Sequence, residues 1–167
     1  ALDAAHYEPV PLVTEPVIHD AKTAGDFARE LQLLLRALDV SDANMEKGEM
    51  RVEANISVSN TEKFGTKVEV KNLNSFRAVE RSIAYEIERQ TKLLEAGEKV
   101  SQETRGWDEN KQKTFSQRAK EESHDYRYFP EPDLPKLKLS ELPEFSMEAL
   151  KKEMPELPSV KRARFVG

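Results

Sequence analysis

The chain contains no cysteine. Disulfides, zinc–cysteine centres and thiol nucleophiles are therefore excluded, and the composition fits a reducing compartment. Only three histidines are present, His6, His19 and His124, too few for a histidine-rich metal site. No apolar run is long enough to cross a membrane, and no signal-peptide pattern is visible. No membrane association is expected, and a cytoplasmic location is the default expectation. Glycine is scarce, with 6 in 167 residues. There is no Gly-x-Gly-x-x-Gly run, no phosphate loop ending in Gly-Lys-Ser/Thr, and no usable Ser-His-Asp order. If the chain uses ATP, it binds it on a sheet face. Charge of a single sign is also lacking. A third of the residues are charged, acid and base are interspersed, and the formal net charge is −5. A uniformly basic nucleic-acid binder is excluded, whereas a local basic patch is compatible. No internal repeat is visible. The length suffices for one domain with a real core.

What is present centres on residues 49–107. In the run from Arg51 to Val58, Val52, Ala54, Ile56 and Val58 alternate with Arg51, Glu53, Asn55 and Ser57. After a polar loop ending at Gly65, Val68 and Val70 alternate with Lys67, Glu69 and Lys71. Period-two alternation predicts two strands, at about 50–58 and 66–72, each with one packed face. The loop between them predicts a hairpin. The unpacked face then holds Arg51, Glu53, Asn55, Lys67, Glu69 and Lys71, a mixture of cations and carboxylates suited to a phosphate and its metal ion. An ordinary solvated face is the alternative. Asn74 or Ser75 caps a helix running to about Ala96, with Gly97 at its end. Its apolar stripe, Phe76, Val79, Ile83, Ile87 and Leu94, covers the packed side of the hairpin. The Asn72–Ser75 turn stands at a helix N-terminus, where backbone donors and the helix dipole favour an anion.

Elsewhere, Val13–Ile18 reads as a short strand. A helix follows, capped by Asp20 or Thr23, with Leu31, Leu34 and Leu35 expected in the core. Lys99–Trp107 and Lys113–Arg118 predict an antiparallel pair around a turn at Asp108–Asn110. Trp107 is either a core anchor or a contact residue. His124–Pro135 interleaves aromatics with charges and prolines. It predicts an extended ribbon, pinned by its rings or stacking on RNA with Arg127. Leu139–Leu142 is a strand edge or a turn, Ser146–Glu153 a brief helix, and a further helix starts near Val160.

Six blocks carry a resemblance. They are Val13-Thr14-Glu15-Pro16, Val40-Ser41-Asp42-Ala43-Asn44-Met45-Glu46, Arg51-Val52-Glu53-Ala54-Asn55-Ile56-Ser57, Phe64–Phe76, Gln102-Glu103-Thr104-Arg105 and His124–Asp133. In this order and spacing they resemble the GatB family, the B-type subunits of the aspartyl/glutamyl-tRNA amidotransferases. The resemblance implies an α+β fold, a mainly antiparallel sheet with helices on one face, akin to the catalytic domains of glutamine synthetase and the guanidino kinases. It implies ATP and Mg²⁺ as cofactors. The implied reaction phosphorylates the side-chain carboxylate of Glu or Asp misacylated onto tRNA(Gln) or tRNA(Asn); glutamine-derived ammonia then displaces the phosphate. Implied partners are the amidase subunit and the small subunit of the amidotransferase complex, together with the misacylated tRNA.

With that chemistry in view, Glu15, Glu53 and Glu69 are the candidate metal carboxylates. Lys67, Lys71 and Arg105 are the candidate catalytic cations. Arg51, Asn55, Asn72, Asn74 and Ser75 are the candidate nucleotide contacts. The family's N-terminal Gly-Leu-Glu-x-His motif has no counterpart here, and residues 1–11 look unlike the family. A start at Ala1 and a helix stopping at Gly167 suggest an interior piece: residues 1–157 as part of the family's cradle domain, and 158–167 as the start of a helical domain. Such a piece is expected to be inactive alone. The competing class is a non-catalytic module for tRNA binding and subunit docking.

Overall fold

The computed structural model describes residues 12–119, 135 and 137–166. Helix α1 spans Ala21–Ala37 and is capped by Asp20, whose side chain accepts from the Thr23 N–H at 2.8 Å. The hairpin follows as β1, Val52–Ile56, and β2, Val68–Leu73. Helix α2, Phe76–Glu95, begins at Ser75, whose hydroxyl accepts from Ala78 N–H at 3.0 Å. Strands β3, Glu103–Asp108, and β4, Lys113–Ala119, form the second antiparallel pair. Two short 3₁₀ turns at Leu139–Glu141 and Pro143–Phe145 precede α3, Met147–Glu153, and α4, Pro158–Val166. The ribbon expected at His124–Pro135 falls almost wholly outside the described residues.

The four strands make one sheet in the order β1-β2-β3-β4. The sheet is mixed. The outer pairings are antiparallel, but β2 and β3 run parallel, with Glu69 beside Thr104 and Lys71 beside Gly106. The reason is α2: a strand followed by a long helix returns the chain to the same end of the sheet, so the next strand pairs parallel. The sheet is mainly antiparallel, as expected from the sequence, and the parallel central pairing is the addition.

Strict alternation also breaks at the end of β2. Val52 stands opposite Leu73 and Ala54 opposite Val70, so Lys71 and Asn72 together face the single residue Glu53. This is a β-bulge, and Asn72 takes the left-handed conformation, φ 64°, that asparagine tolerates better than most residues. The extra residue turns Leu73 back into the core beside Val68 and Val70.

The core joins Ala54, Ile56, Val70 and Leu73 of the hairpin to Ala78, Val79 and Ile83 of α2, with Trp107 beyond them. Trp107 resolves as a core anchor: it is 7 % exposed, stacks edge-on against Tyr85 at 6.3 Å and donates to Glu109 at 2.6 Å. Helix α1 contributes differently from expectation. Its fully buried residues are Gly25 and Ala28, whereas Leu31, Leu34 and Leu35 are only half-buried. Small residues allow α1 to approach α2 closely; a Cβ on Gly25 would meet Glu80. The leucines flank that contact instead of filling it.

In urea unfolding, Ile83→Ala is expected to cost about 2–5 kcal/mol. Leu34→Ala is expected to cost only about 1 kcal/mol. Equal losses would return α1's leucines to the core.

Candidate functional site: the open face of the sheet

One face of the sheet is covered by α2. On the other, Glu53 and Glu69 converge on one ammonium: Lys71 Nζ lies 3.4 Å from Glu53 Oε1 and 3.7 Å from Glu69 Oε1. The antiparallel register places Asn55 directly beside Glu69. Glu53 and Lys71 are substantially open to solvent, while Glu69 is only 14 % exposed. Thr104 explains part of that difference. Its hydroxyl donates to Glu69 Oε2 at 2.8 Å from the adjacent parallel strand. Next to Thr104 on this face is Gly106, where a Cβ would collide with Phe115 and Gln117. Those two side chains lie close over the glycine, and Phe115 remains 42 % exposed.

The expected site residues divide by position. Glu53, Glu69 and Lys71 come together. Arg51 and Lys67 are exposed immediately ahead of β1 and β2. Asn72 is taken up by the bulge. Asn74 and Ser75 line a separate open cleft of about 320 Å³ with Gln32, Arg36, Asn44 and Glu46. Ser75 spends its hydroxyl on the helix cap. Glu15 is exposed in the segment before α1. Among the described residues no group of three His, Asp or Glu gathers as a complete metal site. Two carboxylates completed by phosphate oxygens and water are nevertheless a common donor set for Mg²⁺, and Glu53 with Glu69 fits it.

Arg105 goes elsewhere. Glu103, Arg105 and Trp107 alternate onto the helix-covered face, so Arg105 is separated from Lys71 by the sheet itself. There its Nε lies 3.1 Å from Glu86 Oε1 and donates to Thr114 Oγ1 at 2.8 Å. Arg105 also pairs with Glu103. Glu86 is wholly buried yet well partnered. Arg89 grips both of its oxygens at 2.9 Å, Gln90 donates at 3.1 Å, and the Thr114 hydroxyl donates as well. Burial pushes the Glu86 carboxyl up, but the hydrogen bonds from Arg89, Thr114 and Gln90 together outweigh it and hold the group below its ordinary range. An apolar-stripe reading of α2 misses Glu86 and Gln90. Their spacing from Val79 and Ile83 is a usable signal, because 79, 83, 86 and 90 continue one face.

A helix-backed mixed sheet with a charged open face defines an α+β domain. The chain belongs to the GatB/GatE catalytic domain family, whose model matches residues 5–143. It is 53 % identical over 156 residues to the B-type subunit of the aspartyl/glutamyl-tRNA(Asn/Gln) amidotransferase of Synechococcus elongatus, covering 92 % of this chain and 31 % of that protein. It is 51 % identical to the subunit of the same name from Crocosphaera subtropica, again over 92 % of this chain and 31 % of the relative. The chain thus spans about a third of the length of these curated relatives.

Because the folded Glu86 holds its proton less tightly than an unfolded glutamate, its contribution to stability is complete above about pH 4.5 and is lost as pH falls through the lower folded value. Acid should therefore lower the urea midpoint of the native chain, and Glu86→Gln should flatten that part of the profile. Glu86→Ala, which removes the carboxylate that Arg89 grips and that Arg105 shares with Glu103, is expected to cost about 3–5 kcal/mol at neutral pH. A neutral-pH midpoint unchanged by Glu86→Ala would show that the cluster does not hold α2 to the sheet.

Proposed function

We propose that this chain forms part of the ATP-using catalytic domain of an aminoacyl-tRNA amidotransferase. Its natural substrates on this reading are misacylated Glu-tRNA(Gln) or Asp-tRNA(Asn), and its partners are an amidase subunit and a small subunit. The observation that carries the reading is the convergence of Glu53, Glu69 and Lys71 on the one sheet face that α2 leaves open, in a chain of this family. Residues 1–157 would belong to the cradle domain and 158–167 to a following helical domain.

The residues have distinct tasks. Glu53 and Glu69 would hold Mg²⁺, which when bound supplies neutralising charge to the phosphate oxygens. Lys71, already between the two carboxylates, can turn its ammonium to a transferring phosphoryl group, and Lys67 reinforces the positive potential at the start of the same strand. Asn55 stands beside Glu69 to orient a polar ligand group. Arg105 acts from behind the sheet: by pairing with Glu86 it fixes β3 against α2, so its contribution is to position.

A docking module is the second reading, favoured by the exposed apolar side chains Phe145, Met147, Leu150, Met154 and Phe165 along the C-terminal segment. Calorimetric titration of the full-length protein with Mg·ATP separates the two, since only the catalytic reading requires a nucleotide site.

In the assembled enzyme, Glu53→Gln should abolish tRNA-dependent ATP hydrolysis and amide formation. Glutaminase activity of the partner amidase should largely persist. Wild-type ATP turnover in a combined Glu53→Gln, Glu69→Gln variant would rule out this face as the site.

A further inference from the structure

We infer that Thr104 is a positioning residue for the carboxylate of Glu69, fixing which oxygen of that group is offered to a bound cation; the inference rests on the catalytic reading of the open face. Four observations converge. The parallel register sets Glu69 and Thr104 side by side on neighbouring strands. The Thr104 hydroxyl donates to Glu69 Oε2 at 2.8 Å, a full hydrogen bond. Thr104 is itself only 7 % exposed. Glu69 Oε1 is turned toward Lys71 at 3.7 Å. One oxygen is therefore tied to the sheet and the other faces the charged cluster.

The physical consequence follows from what threonine is. A β-branched side chain in a strand has little freedom about its first torsion, so the direction of the hydroxyl is set by the backbone of β3. The hydroxyl in turn restrains Oε2 and so lowers the rotational freedom of the glutamate side chain. Glu53, 45 % exposed, gains no such support from its ion pair with Lys71 at 3.4 Å, longer than a hydrogen bond of good geometry. The two carboxylates are thus unequal. Glu69 has its Oε2 held by the sheet, and Glu53 is the more adjustable of the two. Groups that orient a ligating carboxylate are commonly worth a large factor in metal affinity.

The test compares Thr104→Val, which keeps the shape and removes the donor, with Thr104→Ser, which keeps the donor. Both are made in the full-length protein in its assembled complex. The readouts are calorimetric affinity for Mn²⁺ with a non-hydrolysable ATP analogue, and the Mg²⁺ concentration giving half-maximal ATP hydrolysis at saturating ATP. Thr104→Val should weaken both by about 10–100-fold, while Thr104→Ser stays near wild type and the KM for glutamine is unmoved in either. Unchanged metal dependence in Thr104→Val, alongside a loss in Glu69→Gln, would overturn the role of Thr104 and leave the catalytic reading intact. Unchanged metal dependence in Glu69→Gln as well, or no binding of the metal–nucleotide pair by the wild type, would remove the reading of the face and this inference with it. If Thr104→Val fails to fold, Thr104→Ala is read in the same way. Failure of both to fold, with Thr104→Ser folded, would make the hydroxyl an element of stability and overturn the positioning role.

Discussion

A buried carboxylate organises this domain. Glu86 sits on the face of α2 that meets the sheet, with no exposure to solvent. A lone charge there would be prohibitively costly, so the surroundings must answer it. Arg89 does so from the same helix, one turn on. Arg105 and Thr114 do so from the two strands of the second hairpin. The carboxylate thus ties both β3 and β4 to α2 alongside the packing of Trp107 on Tyr85, while Val79 and Ile83 attach the first hairpin to the same helix. Replacing such a cluster with apolar residues can leave stability unchanged or raise it. Its consequence here is geometric: it requires Arg105 to face the helix, and a strand with Arg105 facing the helix has Thr104 and Gly106 facing away.

That orientation propagates to the open face. With Thr104 turned outward and β3 parallel to β2, the hydroxyl meets Glu69. The glycine beside Lys71 leaves room for Phe115 and Gln117 to lie across the sheet. An arginine committed to the buried cluster is also unavailable to a phosphate on the opposite side. Moving Arg105 to a ligand would take one cation from Glu86 and remove the bonds Arg105 donates to Thr114 across the hairpin. The same residue cannot serve both faces.

Much of this architecture can be read from residue order, and the remainder cannot, for identifiable reasons. Val52, Ala54, Ile56, Val68 and Val70 announce two half-buried strands by alternation. Ser75 announces the start of α2 as a side-chain cap. The bulge at Lys71 and Asn72 leaves only a three-residue step from Val70 to Leu73, and a strand read by strict alternation passes over it. The parallel β2–β3 pairing depends on a crossover rather than on any local pattern, so the contact between Thr104 and Glu69 is invisible in the sequence, although both residues lie in recognisable blocks. Glu86 and Gln90 escape notice when a buried stripe is assumed to be apolar, although the inward positions of β3 and β4 supply the matching Arg105 and Thr114. In α1 the leucines outweigh Gly25 and Ala28 on a hydrophobicity count, yet close helix approach is governed by the small residues.

The open face combines one fixed element with one loose one, and this difference bears on what it can do. Exposed ion pairs such as Lys71 with Glu53 contribute about 0–1 kcal/mol, because water and side-chain entropy offset most of the attraction. Lys71 can therefore change partners at little cost, as the proposed phosphate-binding role requires. Glu69 is different, since its Oε2 is held by a buried hydroxyl on a strand that the Glu86 cluster anchors. A surface of mutually compensating charges would relax around any ligand. A surface with one restrained carboxylate has a more defined geometry, and preorganisation of that kind is what the proposed catalytic role would need over a merely solvated sheet face.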